Sequence, residues 1–242
     1  IIDIKGIGGM RGIEDEAGGF RIGAAVTGAE RGEHQGLCAA WPGVVEARTV
    51  VGSTQVQGRA TPGGNLCNGS PAADSVPAMI AAGAICTLVG PNGQRRLPVD
   101  SVPTGPGRTC LEKGEILVYF ILPERPLRSG DAYLRMIPRT EMDIAIVGVG
   151  VNLSMDEDGR CCSARVALGA VAPTALLVQA AAEALIGKPV DEAALENLAA
   201  AARAACQPID DMRGTAEYRT KLAGVLAKRA TTIALQRAGS PS

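Results

Sequence analysis

Thr61-Pro62-Gly63-Gly64-Asn65-Leu66-Cys67-Asn68-Gly69-Ser70-Pro71-Ala72-Ala73-Asp74 is the stretch on which the reading of this chain turns. Two adjacent glycines remove side chains where another group must come close. Successive amides in such a turn can form an anion-binding nest. Thr61, Asn65, Asn68 and Ser70 add neutral donors. The helix predicted over 72–82, with Ser70 as N-cap and Pro71 at its first position, would offer free N–H groups to a phosphate. Asp74 suits the first turn of that helix, and could equally accept hydrogen bonds from sugar hydroxyls. The plainer alternative is a Gly-Gly-Asn turn followed by an ordinary helix start. No G-x-G-x-x-G sits between a strand and a helix, and no phosphate loop with its Lys is present, so neither a Rossmann nor a P-loop nucleotide site is supported.

Upstream of this stretch, Ile1 to Ile4 reads as a short strand. Arg11 to Val26 reads as a hairpin turning at Ala17-Gly18-Gly19. Thr27 is placed to cap a helix, and a second helix is expected through Val44 to Ala47. Gly52 to Pro71 follows neither helical nor strand periodicity. Downstream, Ala84 to Val89 and Glu115 to Leu122 are apolar strand-like runs, with a turn at Pro91-Asn92-Gly93. The polar segment from Pro123 to Asp131 suggests a boundary. Beyond it lie a strand from Asp143 to Leu153, a turn at Met155 to Gly159 and a partner strand from Cys161 to Val171. Three helices are expected last: Leu176 to Ile186, one from Asp191 as N-cap to about Cys206, and one from near Thr215. In the third, Tyr218, Leu222, Val225, Leu226, Arg229 and Ile233 repeat at helical spacing. Strands followed by helices give an α+β class. The Ala-rich helices either cover their own sheet or pair with another chain.

Composition narrows the function. Lys plus Arg is 24 and Asp plus Glu 25 in 242 residues, a balance that argues against a nucleic-acid binder. No apolar run reaches a membrane span. Seven cysteines occur without a C-x-x-C pair, so they are read as reduced, mostly buried thiols of a cytoplasmic protein. His34 is the single histidine, which excludes a multi-His metal site and leaves little room for a Ser-His-Asp triad. The chain opens Ile1-Ile2-Asp3-Ile4 and its first Met is Met10, so a processed or truncated product is expected.

The run Thr61 to Asp74 resembles the second FAD-binding motif of the flavoprotein subunits in the xanthine dehydrogenase and carbon monoxide dehydrogenase family. Other segments share the likeness: Ile1-Ile2-Asp3-Ile4, Thr104-Gly105-Pro106-Gly107-Arg108-Thr109, Gly114-Glu115-Ile116-Leu117, Arg139 with Glu141-Met142-Asp143-Ile144-Ala145, Ala167 to Thr174, and Arg213 to Arg219. The resemblance implies an FAD-binding domain of the p-cresol methylhydroxylase/vanillyl-alcohol oxidase type over 1–126, then a C-terminal α+β domain over 131–237. It implies FAD contacts at Thr61, Gly63, Gly64, Asn65 and Asn68, mostly around the diphosphate. It adds Asp74, Val51 and Gly52 along the pocket, and Leu117 and Val118 packed near the cofactor. Arg135 is implied as a cation reaching the flavin. From the residues alone, Arg135 is equally a strand residue with a wet head, and Leu117 and Val118 ordinary core.

In this family an Arg-Asn pair commonly precedes the Thr-x-Gly-Gly core; here Gln57-Gly58 stands there. The family's other glycine-rich loop, of Ala-Gly-Gly-Thr-Asp-Leu type, has no counterpart in the chain, so the FAD-binding domain is expected to be incomplete, with its first lobe missing. The implied role is electron transfer from [2Fe-2S] clusters on a small subunit, through FAD, to NAD or another acceptor, beside a molybdopterin-binding large subunit. No general acid, base or nucleophile is implied. The competing expectation is a cofactor-free docking module of the same complex.

Overall fold

The computed structural model describes residues 3–140 and 142–239. The chain begins with a hairpin, β1 (Ile13–Glu16) and β2 (Gly19–Gly23). Ala17 and Gly18 turn it with φ of 49° and 81°, the double positive-φ turn that matches strand twist. A run of short helices follows: α1 (Gly28–Glu33), α2 (Gln35–Ala40), α3 (Pro42–Thr49), α4 (Thr54–Gln57), α5 (Pro62–Cys67) and α6 (Ser75–Ala81). Thr27 caps α1 in a reciprocal box with Glu30, an arrangement stabilising by about 1 kcal/mol. His34 caps α2 through its ring, Nδ1 accepting from Leu37 N at 3.0 Å.

Strands β3 (Ile85–Gly90), β4 (Gly93–Pro98), β5 (Pro103–Gly105), β6 (Arg108–Thr109) and β7 (Ile116–Leu122) complete the first half. One antiparallel sheet has the order β1-β2-β7-β3-β4, and β5-β6 form a small separate hairpin. The second half contains β8 (Ser129–Met136), β9 (Val147–Met155), β10 (Cys161–Gly169), β11 (Leu176–Leu177), α7 (Gln179–Glu183), α8 (Glu192–Ala204) and α9 (Ala216–Gly239). Its antiparallel sheet has the order β11-β10-β9-β8. The α+β class holds, with helices packed on two antiparallel sheets.

Several local expectations are corrected. Ile4 lies in a 3-10 turn rather than a strand, because the Asp3 carboxylate accepts from Lys5 N; Ile1 and Ile2 lie outside the described residues, as does Glu141. The stretch 52–71 holds two helices, α4 and α5, too short to leave a periodic pattern. Helix α6 starts at Ser75, three residues late, because Ser70 Oγ accepts from Ala72 N and holds a turn there instead. Strand β9 starts at Val147: Asp143 binds the Arg139 backbone and guanidinium and keeps that segment looped. Leu176 and Leu177 pair with β10, leaving only a five-residue α7 where a longer helix is expected.

The long helix α9 seats its smallest residues deepest; of the large ones expected along its face, Leu226 is buried and Leu222 and Ile233 pack half-buried on the same core. Ala223, Ala227, Ala230 and Ala234 are fully enclosed, while Tyr218 is 40% exposed. The helix lies almost on β8, where a Cβ on Gly130 would overlap Ala234 O. Only small residues allow so close an approach.

The two halves are locked together. A Cβ on Gly150 would stand 2.5 Å from Pro77 O, and one on Gly169 2.7 Å from Pro77 Cγ, so α6 rests directly on β9 and β10. Arg165 Nε donates to Ile80 O at 3.0 Å. From α3, Glu46 accepts from Tyr133 N at 3.2 Å and pairs with Arg237, covering the open edge of β8. Asp131 takes Val44 N at 3.3 Å and Arg125 Nη1 at 2.9 Å; its burial pushes the carboxyl up.

Candidate FAD-binding edge

Helix α5 is built by its own cap. Thr61 Oγ1 accepts from Gly64 N at 3.1 Å, Thr61 O accepts from Asn65 N at 2.9 Å, and Pro62 needs no acceptor at the first position. Gly63 N donates to Ala24 O at 3.0 Å, and Ala24 N donates to Val118 O at 2.8 Å. A chain of bonds thus ties the start of α5 to β7. The expected open nest of amides is replaced by a capped first turn whose N–H groups already have partners.

The paired glycines divide the work. A Cβ on Gly63 would lie 2.7 Å from Ala24 O, so this glycine admits the protein's own backbone. Gly64 is exposed, and a Cβ there would meet only Thr61 Oγ1, at 3.1 Å. Bare main chain therefore faces outward at one glycine rather than two. Asn68 caps the far end of α5, exposed, with its N–H on Gly64 O at 3.0 Å. Gly69 then turns with φ of 63° and packs on the β5-β6 hairpin, Gly107 N donating to Gly69 O at 2.9 Å.

Beneath this edge lies a polar cluster. Asn65 Oδ1 accepts from Ser75 N at 3.2 Å and Ser75 Oγ at 2.6 Å, serving as the cap that α6 lacks. Its Nδ2 is left on the other arm of the amide as a donor. Asp74 accepts from Tyr133 Oη and from Arg135 Nη1, each at 2.9 Å. Arg135 Nη1 also donates to Asp143 O at 3.3 Å. Burial dominates at Asp74 and pushes its carboxyl up to about 6, against the opposing pull of Arg135 and Tyr133. The same burial raises the Tyr133 phenol well above its usual range.

The expected site residues therefore fall into four places. Thr61, Gly64, Asn65 and Asn68 share the edge. Asp74 and Arg135 are brought together, but with each other, in the joint between the halves, and not with an open wall. Leu117 is core on β7, and Val118 is half-buried with its carbonyl bonded to Ala24. Val51 and Gly52 lie beyond α3, where Val51 N bonds Arg48 O and Gly52, with φ of 62°, packs on Val56. Sequence reasoning missed Ser75 and Tyr133. Tyr133 had a signal: it stands two residues before Arg135 in a strand, so both side chains leave the same face.

The donor set suits a dinucleotide. Hydroxyl and amide groups flank the bare Gly64, and the nearest carboxylate of the motif, Asp74, is folded beneath and paired, so no exposed acid of the motif opposes a diphosphate. A separate cavity of about 250 Å³ opens behind the tail of the motif, with Pro71, Pro106, Ala145, Ala172 and Pro173 in its wall. None of the expected FAD contacts lines it. All seven cysteines are free thiols. Among the described residues, no group of three His, Cys, Asp or Glu could hold a metal ion, and no helix is long and apolar enough to cross a membrane.

Comparison with known proteins covers both halves. Residues 1–125 match the family described as FAD binding domain in molybdopterin dehydrogenase, and residues 132–234 match the CO dehydrogenase flavoprotein C-terminal domain. The carbon monoxide dehydrogenase medium chain of Afipia carboxidovorans is 35% identical over 238 residues, 98% of this chain and 82% of that one. The putative xanthine dehydrogenase FAD-binding subunit of Escherichia coli K12 is 32% identical over 241 residues, 99% of this chain and 82% of that one. The solved carbon monoxide dehydrogenase from Hydrogenophaga pseudoflava superposes with a TM-score of 0.93 at 36% identity, covering 97% of this chain and 81% of the other.

Proposed function

This chain belongs to the FAD-binding flavoprotein family of the molybdopterin dehydrogenases, and we propose that it is the FAD-carrying electron-transfer subunit of such a complex. Its partners in this reading are a molybdopterin-binding large subunit and a small subunit with [2Fe-2S] clusters, and its acceptor is NAD or another oxidant. The observation that carries the reading is the exposed edge at Gly64, flanked by Thr61, Asn65 and Asn68 and free of an exposed acid. FAD supplies the redox chemistry, while the protein supplies binding, orientation and electrostatics.

The residues divide these tasks. Gly64 lets a phosphate-bearing ligand lie against main chain. Thr61, Asn65 Nδ2 and Asn68 donate to its oxygens. Gly63, Leu117 and Val118 fix the edge to the sheet from behind rather than touching the ligand through polar atoms. Asp74 and Arg135 hold the joint between the halves beneath the edge. The test is the visible spectrum of the purified protein together with the chains that copurify. A flavin spectrum and a molybdenum-containing large chain support the proposal. A colourless protein that still assembles with its partners overturns the cofactor role in favour of docking alone.

A further inference from the structure

Helices α1 and α3 bring together two arginines for which the described residues provide no acid. Arg31 of α1 is 3% exposed, and its Nε and Nη1 have no hydrogen-bond partner among the described residues. Arg48 of α3 is half-buried, and its Nε is likewise buried without a partner. The two groups are adjacent: a Cβ on Gly32, the residue after Arg31, would overlap the Arg48 guanidinium, so a glycine stands where that side chain passes. The carboxylates of both helices are elsewhere. Glu30 is held by Thr27 and Arg11, Glu46 by Arg237 and Tyr133, and Glu33 is exposed and in no ion pair with either arginine among the described residues. Burial, with the neighbouring Arg48 second, pulls the Arg31 guanidinium down to about 10, so it stays charged at neutral pH.

Two adjacent like charges with orphaned buried donors, one enclosed and one half-buried, are costly unless an anion completes them. A guanidinium presents planar, forked donors that match tetrahedral oxyanions. We propose that Arg31 and Arg48 form a phosphate-binding site, entered from the half-exposed side of Arg48. The doubled positive charge matches a dianion better than a single carboxylate. The site stands apart from Gly64 but close in the chain's own wiring: Gly28, one turn before Arg31, donates to Ala60 O at 2.9 Å, the residue preceding Thr61. The inference does not depend on the FAD reading, because the group recognised is a phosphoryl oxyanion whether it is inorganic phosphate or part of a dinucleotide.

Inorganic phosphate is the probe, titrated into the full chain in scanning fluorimetry and calorimetry against sodium chloride of equal ionic strength. At a hundredfold excess over Kd the site should raise Tm by about 5–10 °C. Arg48→Met should abolish that rise and, without phosphate, melt no lower than the wild type, because a like charge has gone. Arg31→Met should abolish it too; if that variant fails to fold, Arg48→Met alone decides. A wild-type response no larger than that to chloride overturns the proposal, as does a response retained in Arg48→Met. Phosphate that weakens FAD binding in competition identifies the dinucleotide as the natural source; phosphate and FAD binding together identify a free phosphate. Loss of flavin with an intact phosphate response would count against the FAD reading only.

Discussion

The joint between the halves and the edge at Gly64 are both rich in glycine and polar side chains, yet they use them in opposite ways. In the joint, Gly150 and Gly169 are filled by Pro77, and Asp74, Tyr133 and Arg135 bond one another. At the edge, Gly64 faces outward and meets only Thr61 Oγ1. Missing side chains in the joint let the protein approach itself; the one at the edge leaves bare main chain open to solvent. In the proposed function, conserving shape is the duty of the first region, and holding a ligand that of the second. Substitutions should separate the two.

The largest effect is expected at Arg135. Arg135→Met leaves Asp74 buried without its cation and should cost about 3 kcal/mol, read from the urea midpoint. Gly150→Ala drives a methyl into Pro77 O and should cost roughly 1–3 kcal/mol in the same assay, through the joint alone. A smaller effect is expected from pH. The Asp74 carboxyl is pushed up to about 6 by burial, above its unfolded value, so the folded state binds the proton more tightly. Stability should then fall as pH rises from about 4 to 6 and level off above. Asp74→Asn should flatten that slope, measured by urea unfolding at pH 4.5 and pH 7.5. An unchanged slope would show that Asp74 is ionised throughout. The smallest change in stability belongs to Gly64→Ala. The gain in helix propensity is offset by crowding of Thr61 Oγ1, leaving a net change within about 0.5 kcal/mol.

Much of this architecture was legible because it is written in local chemistry. The hairpin at Ala17-Gly18, the cap at Thr27, the β3-β4 turn and the Asp191 cap of α8, whose carboxylate takes Ala194 N at 2.8 Å, each depend on residues within a few positions. What was not legible depends on partners far away in the chain. Once the Ser70 turn has delayed α6, its first residue Ser75 is capped by Asn65, ten residues back, and the close seating of α9 is set by Gly130 on β8. A helix wheel marks the large residues, Leu226 among them, but not that the contact with Gly130 admits only small ones. At the site, Thr61 as cap could be read locally, whereas the fate of Asp74 could not: Tyr133 and Arg135 lie 59 and 61 residues away. The arginine pair on α1 and α3 was invisible for the same reason, since nothing in a sequence reports the absence of a counter-charge.

The central claim concerns the edge, and flavin content tests it most directly. The ratio of visible flavin absorbance to protein should fall at least tenfold in Gly64→Val, while Gly64→Ala shows a smaller loss and both keep the wild-type fold by circular dichroism. A Gly64→Val protein that folds and carries its full complement of FAD would contradict the account.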